Sequence, residues 1–392
     1  MIIEERKGVP GYEVVRLKEK KTNYCVLIPV INEKDNIALE LKRAVDSKSI
    51  EACDVIICDG NSTDGTNDAS FLESLGVTTI LIKKTKGKQG AQLRMGFDFA
   101  INEGYEGFIT IDGNNKDSIE DIPNFVKKLD EGYDFVQGSR FIKGGKEINT
   151  PIFRKIMVKC VHSPIISLTA HKRYTDTTNA FRAYSKNYIT NPRVDLFRDI
   201  FDGYELLAYT STRASQIGLK TCEIPVTRAY PKGEVPSKIK GVKANFILLK
   251  VLLLNMLGFY KPKKVAKRLF LGYTLFMLAV SLGFLFLTIY SLNNSIKNYS
   301  KVFGEKYNEI KLIIYDENEE ERDPSEYTDE EKMELIRLYD ELDVIEKQGI
   351  SKTQPIVFGA LTVVFIGGTV YFYDLRSYLD ERDNEKNRSN NS

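Results

Sequence analysis

The sequence predicts an α/β protein: a mostly parallel sheet covered by helices, followed by two C-terminal transmembrane helices. Three observations predict it. Between residues 22 and 242, short β-rich runs alternate with stretches carrying apolar residues at helical spacing, the pattern of a parallel sheet with helical crossovers. Acidic and amide-rich motifs fall where the β-rich runs end, and open α/β sheets bind ligands at the carboxyl ends of their strands. Two uncharged apolar stretches, 269–291 and 356–373, lie near the end of the chain. They approach or exceed the roughly 20 residues a helix needs to cross a bilayer.

Taken in order, NYCVLIPVI, ACDVIICD, VTTILIK, EGFITID and YDFVQGS read as strands. NIALELKRAVDS, QGAQLRMGFDFAINEG and SIEDIPNFVKKLDEG read as helices between them. The expected organisation is an N-terminal extension over 1–21, a catalytic domain over 22–242, and an interfacial, basic juxtamembrane segment over 243–268. A first span at 269–291, an acidic external segment at 292–355, a second span at 356–373 and a tail at 374–392 complete it. Lys250 and Asn255 interrupt the apolar run near 250, favouring a helix lying on the inner leaflet over a third span. Residues 151–170 alternate basic and apolar side chains and read as another interfacial helix or as a buried one. In the external segment Thr328 and Glu331 form a capping-box pattern ahead of Leu335, Leu338, Leu342 and Ile345.

Charge is unevenly spread. From 293 to 353, 9 Lys/Arg stand against 17 Asp/Glu, a net −8, which leaves +10 for the rest of a chain whose total is +2. A basic remainder suits an anionic substrate or an anionic membrane surface. Five positive residues in KPKKVAKR (261–268) precede the first span; the positive-inside rule puts them, the catalytic domain and both termini on the cytoplasmic side of a cell membrane. The N-terminus has no apolar core of a signal peptide. Five scattered cysteines without a CxxC pair read as reduced thiols. Two histidines, His162 and His171, are too few for a histidine metal centre and read as satisfied or interfacial side chains. Nothing points to a nucleic-acid partner.

Chemistry gathers at three strand ends. IPVINEKDNI carries Pro29 and Glu33, and CDGNSTDGT carries Asp59; acidic groups there accept hydrogen bonds from a ribose or a base edge. KTKGKQGAQLRMG puts lysines and glycines ahead of a helix but lacks P-loop spacing. ITIDGNNKDS carries Asp112, Gly113 and Asn114. Mg²⁺ and Mn²⁺ take oxygen ligands and are commonly held by one or two carboxylates plus substrate phosphates. Asp112 with the Asn114 amide is a sufficient protein half of such a site, with a weaker grip than two carboxylates.

The ordered set IPVINE, CDGNSTDGT, IDGN, GSRF, DTTNAFRAYS and RAYPKGEVPSK resembles family 2 glycosyltransferases, in particular the dolichol-phosphate mannosyltransferase-like branch that works on polyprenyl phosphates. The resemblance covers about 22–242. It implies a GT-A, Rossmann-like fold, a UDP- or GDP-sugar donor, a polyprenyl phosphate acceptor and a divalent cation. Pro29, Ile31, Glu33, Ile57, Asp59 and Gly113 match donor-nucleotide positions, Ile31 replacing an aromatic residue. Asp112 and Asn114 match the metal site, with Asn114 in place of a second Asp. Arg140, Arg182, Arg228 and Lys238 match basic positions around phosphates. The implied enzyme is an inverting, membrane-anchored glycosyltransferase of cell-envelope glycan assembly, with room for a homo-oligomer. A phosphate acceptor needs positioning, for which Arg140 is the candidate. A hydroxyl acceptor on a lipid-linked glycan would need a general base, Glu205 or Asp176. A non-catalytic nucleotide-binding scaffold is the third reading.

Overall fold

A computed structural model of the chain describes residues 1–231, 241–262, 271–318, 320–349, 359 and 362. Two units are distinguished, the first built on residues up to 266 and the second on 267–372.

The first unit is organised around a nine-stranded sheet. Its strands are β1 (Ile2–Ile3), β2 (Tyr12–Arg16), β3 (Tyr24–Val30), β4 (Asp54–Asp59), β5 (Thr79–Lys83), β6 (Gly107–Thr110), β7 (Phe135–Ser139), β9 (Arg182–Ser185) and β10 (Thr221–Pro225); β8 (Lys146–Ile148) and β11 (Thr227–Ala229) form a separate pair. The order is β1-β2-β5-β4-β3-β6-β9-β7-β10. β5, β4, β3 and β6 run parallel, as do β7 and β10, while β9 is antiparallel to both its neighbours. The five expected strands are therefore present. β4 is buried along its whole length because helices cover both faces of the sheet.

Helices α1 (Lys34–Asp46) and α4 (Ile122–Asp130) pack on one face over a core that includes Val26, Ile28, Ile37, Ile57 and Phe125. The short α2 (Ala69–Ser74) is capped by Asp68, and its Leu72 joins the same core. On the other face α3 (Gln89–Asn102), α6 (Ser163–Ala170), α7 (Lys186–Thr190), α8 (Tyr204–Gln216) and α9 (Gly241–Met256) contribute Leu93, Phe97, Ile166, Tyr188, Tyr209 and Leu252.

Two boundaries differ from expectation. The N-terminal extension joins the sheet: β2 pairs with β5, and Tyr12 and Val14 turn into the core. The apolar helix near 250 docks on α8 and α6. Asn255, read from sequence as an interruption, is buried and donates to the Ala208 carbonyl (3.1 Å) and Thr212 Oγ1 (3.2 Å). Ile247 and Leu253 on the same helix stay exposed.

Residues 151–170 divide. α5 (Ile152–Met157) exposes Ile152, Phe153 and Ile156, a π-helical turn spans Val158–His162, and α6 buries Ile166 and Ala170.

In the second unit α10 (Leu271–Ile314) runs 44 residues without a break, about 66 Å at the α-helical rise. It passes through the polar residues that were expected to end it near Ser291. Among the described residues one helix, Ala279–Ile314 of α10, is long and apolar enough to cross a membrane. The expected second span lies outside the described residues except for 359 and 362. α11 (Asp329–Gln348) starts at a complete Thr328–Glu331 capping box and packs Leu335 and Leu338 on Ile310, with Lys306 bridging Glu309 and Glu341 at 2.9 Å each.

Candidate active site at the end of β6

Asp112 stands just past the carboxyl end of β6, on a loop that the rest of the unit fixes closely. Gly113 lies against β3: a Cβ there would come 2.5 Å from Val30 Cγ1, so only glycine fits. Asn115 adopts a left-handed conformation (φ 55°) and donates its backbone N–H to Glu40 Oε2 at 2.9 Å. The Ala229 N–H donates to the Lys116 carbonyl (2.8 Å), and the Ser118 N–H donates to the Thr227 carbonyl (2.9 Å). β11 thus returns beside residues 116–118 and brings Arg228 to Asp112.

Four side chains set the electrostatics. Gln89, the first residue of α3, donates Nε2 to Asp112 Oδ1 at 2.9 Å. Arg228 faces Asp112 Oδ2 at 3.4 Å while ion-pairing closely with Asp117, which is fully buried. Burial works against the Arg228 charge, but Asp117 and Asp112 outweigh it and keep the guanidinium firmly protonated. Burial pushes the Asp117 carboxyl up, and Arg228 pulls it back. Tyr230 Oη accepts from Arg154 (3.2 Å) and Arg228 (3.3 Å); burial would raise this phenol, yet Arg228 and its fellow arginines bring it below its ordinary value.

The donor set fits a divalent cation in kind. Asp112 is partly exposed, and the Asn114 Oδ1 beside it is buried without a hydrogen-bond partner, an oxygen that a cation would satisfy. No group of three His, Cys, Asp or Glu residues able to hold a metal occurs among the described residues, so substrate oxygens would have to complete the shell.

The other expected residues separate. Pro29 and Ile31 flank the end of β3, with Ile31 exposed. The Glu33 N–H donates to Thr66 Oγ1 (3.0 Å), and its carboxylate accepts from Asn36 (2.6 Å). Ile57 is fully buried inside β4 and reaches no surface. Asp59 is also buried, its carboxylate taken up by the Asn61 and Ser62 N–H groups (2.8 and 2.9 Å), the Ser62 hydroxyl and Asn67. Geometrically it organises its own loop and has little capacity left for a ligand.

Arg140 and Asp176 form a buried bidentate pair (2.6 and 2.8 Å), which removes Asp176 from service as an exposed base; Arg140 keeps one unpartnered nitrogen, Nη1. Arg182 spends its guanidinium on the carbonyls of Asn179, Leu207 and Thr177 at 2.7–3.0 Å. It braces β9 against α8 where a phosphate contact was expected. Glu205, in the first turn of α8, accepts from the Gly203 N–H (2.7 Å). Lys238 lies outside the described residues. Of the histidines, read as satisfied or interfacial, His162 leaves Nδ1 without a partner, and burial pushes it down to about 4.

Gln89, Asp117, Arg154, Lys116 and Tyr230 were not read from sequence as site residues. Gln89, Lys116, Asp117 and Tyr230 all lie inside stretches quoted as motifs, but none was given a role of its own.

Glu40 behind the loop makes a separate prediction. It is fully buried; burial, with Asp117 and Asp112 nearby, raises its carboxyl well above the ordinary value, against the pull of the Asn115 N–H and Arg43. The native state therefore binds the proton more tightly than the unfolded chain. Its stabilising contribution is full below the ordinary carboxyl pKa and is lost as pH rises through the raised one. Glu40→Gln, which retains the acceptor for Asn115, should flatten the decline of unfolding free energy as pH rises above the ordinary carboxyl range in urea titrations.

A sheet with parallel strands at its centre, and an acidic loop with basic partners at its strand ends, make a GT-A-like α/β fold. Residues 25–193 match Glycosyl transferase family 2: the chain carries a domain of that family and is a glycosyltransferase. It is similar to the undecaprenyl-phosphate mannosyltransferase of Micrococcus luteus, 28% identical over 203 residues, covering 51% of this chain and 81% of that one. It is likewise similar to the polyprenol monophosphomannose synthase of Mycolicibacterium smegmatis, 26% identical over 232 residues, covering 58% and 84%. Among solved structures, glucosyl-3-phosphoglycerate synthase from Mycobacterium tuberculosis, determined with Mn²⁺ and uridine diphosphate, superposes with a TM-score of 0.43 at 14% identity, covering 60% of this chain and 78% of that one.

Proposed function

We propose that the protein is a membrane-anchored inverting glycosyltransferase that moves a sugar from a UDP- or GDP-sugar to a polyprenyl phosphate at the cytosolic face of the membrane. The observation that carries this reading is the meeting of Asp112 and Arg228 beside Tyr230, with α5 adjoining through Arg154. α5 offers Ile152 (77% exposed) and Phe153 (64%) next to that cationic centre. A lipid phosphate needs both, an apolar surface for its chain and fixed positive charge for its head. The activities of the two bacterial relatives support the same acceptor class.

The physical task is to stabilise negative charge on the departing nucleoside diphosphate while the sugar gains cationic character. Arg228, held in place by Asp117, aims a permanent charge at the loop. Gln89 holds Oδ1 of Asp112 and so orients its other oxygen. Asp112 and Asn114 are the residues that would hold Mg²⁺ or Mn²⁺; when bound, such an ion supplies further charge to the diphosphate oxygens. The acceptor phosphate is already anionic near neutral pH, so no general base is required. That agrees with a site in which Asp176 is locked to Arg140.

Purified full-length protein with Mn²⁺, a panel of UDP- and GDP-sugars and polyprenyl phosphate should yield a lipid-linked monosaccharide by mass spectrometry. No product across the panel would overturn the reading. Glu205→Gln should retain transfer to the phosphate acceptor. Loss of turnover, with recovery of a product on a hydroxyl acceptor in the wild type, would favour the glycan-extending alternative.

A further inference from the structure

Lys116 lies inside the ITIDGNNKDS stretch but was given no role there, and it occupies an unusual place. Its neighbours are tied on both sides: the Asn115 N–H to Glu40, its own carbonyl to the Ala229 N–H, and Asp117 to Arg228. Its ammonium is therefore delivered from a constrained stretch of backbone. Nζ lies 5.7 Å from the centroid of the Tyr230 ring, around which the Arg154 and Arg228 guanidinium carbons stand at 5.5 and 5.6 Å.

Three cations around one ring repel one another, and the carboxylates close by are already engaged. Asp117 is taken by Arg228, and Asp112 accepts from Gln89 and faces Arg228. Lys116 is half-buried and makes no ion pair among the described residues. A lysine that only solvated a surface would extend into water, and one that only balanced the core would sit on a carboxylate. Lys116 does neither. The arrangement is that of a charge awaiting an anion.

We infer that Lys116 is a phosphate-binding residue of this centre, its ammonium taking an oxygen of a substrate phosphate beside Arg228. The inference rests on the reading under Proposed function and goes beyond it by naming a residue and a charge count. The loop carries Asn114 where a second carboxylate would add negative charge, and two positions further on it adds a positive one. Both changes shift the centre toward holding phosphate with its own side chains. The phosphate can come from the donor's diphosphate or from the lipid acceptor.

The test uses the full chain in detergent micelles, as wild type, Lys116→Ala, Lys116→Gln and Lys116→Arg, with thermal unfolding as the check on folding. Calorimetry measures UDP, GDP, uridine, guanosine and undecaprenyl phosphate dispersed in the same micelles, each over a salt series. The expected result is a loss of about 10- to 100-fold in affinity for one phosphate ligand in the Ala and Gln variants, the size of one charge-assisted hydrogen bond. That loss should come with a shallower salt dependence, unchanged nucleoside binding and substantial recovery in the Arg variant. Loss confined to UDP or GDP assigns the phosphate to the donor; loss confined to undecaprenyl phosphate assigns it to the acceptor. Ala and Gln variants that bind both phosphate ligands as tightly as wild type, with the same salt dependence, overturn the inference while leaving the proposed function standing. A wild type that binds neither phosphate ligand overturns the proposed function, and the inference falls with it.

Discussion

Replacing Asp112 with alanine is expected to lower the transfer rate by about 10²- to 10³-fold, the range seen when a preorganised charge-stabilising group is removed from a reacting centre. Asp112→Asn should be nearly as damaging, because it can still accept from Gln89 but no longer carries the charge that would draw a cation to the diphosphate. Stability should change little: Asp112 is partly exposed, and its contact with Arg228 is a secondary one at 3.4 Å. Single-turnover rates alongside urea unfolding would separate the two effects. An alanine variant with wild-type turnover would remove the centre of the mechanism. The complementary change, Asn114→Asp, should tighten Mn²⁺ binding in the presence of nucleotide, read by titration calorimetry.

Arg228→Ala should damage both activity and folding. Its primary partner, Asp117, is fully buried, and leaving one member of a buried ion pair uncompensated costs about 3–5 kcal/mol. The pH dependence follows from burial, which pushes the Asp117 carboxyl up. Without Arg228 to pull it back, Asp117 takes a proton at a higher pH than in the wild type. The penalty is largest where Asp117 stays ionised and fades as pH falls through its raised value. Asp117→Asn combined with Arg228→Ala should therefore recover much of the lost stability without recovering turnover. The non-additivity of that double-mutant cycle measures the pair. Equal stability loss in the single and double variants would mean that Asp117 is not the residue paying the desolvation cost.

Much of the sheet was readable because its central strands are nearly continuous apolar runs ended by Gly, Asp or Pro. The N-terminal strand was not, since YEVVR is short and sits between glycine-rich and lysine-rich stretches; only its pairing with β5 shows that Tyr12 and Val14 face inward. Asp112 was legible from its place after a β-rich run. Its partners were not, because Arg228 and Asp117 meet only when β11 returns past the 116–118 loop, more than a hundred residues later in the chain. The same limit explains the basic residues read as phosphate ligands. A guanidinium looks available in a sequence whatever it binds, and here Arg182 has three carbonyls and Arg140 a carboxylate. Asn255 shows the converse: a polar residue in an apolar helix marked a buried anchor rather than a water-facing side.

Gly113 has a consequence for altering this loop. It presses its bare Cα against Val30 while carrying a reactive group on either side, at 112 and 114. A methyl added at 113 would lever the whole segment off β3 and carry both groups out of position in one motion, like a hinge pin made too thick for its barrel.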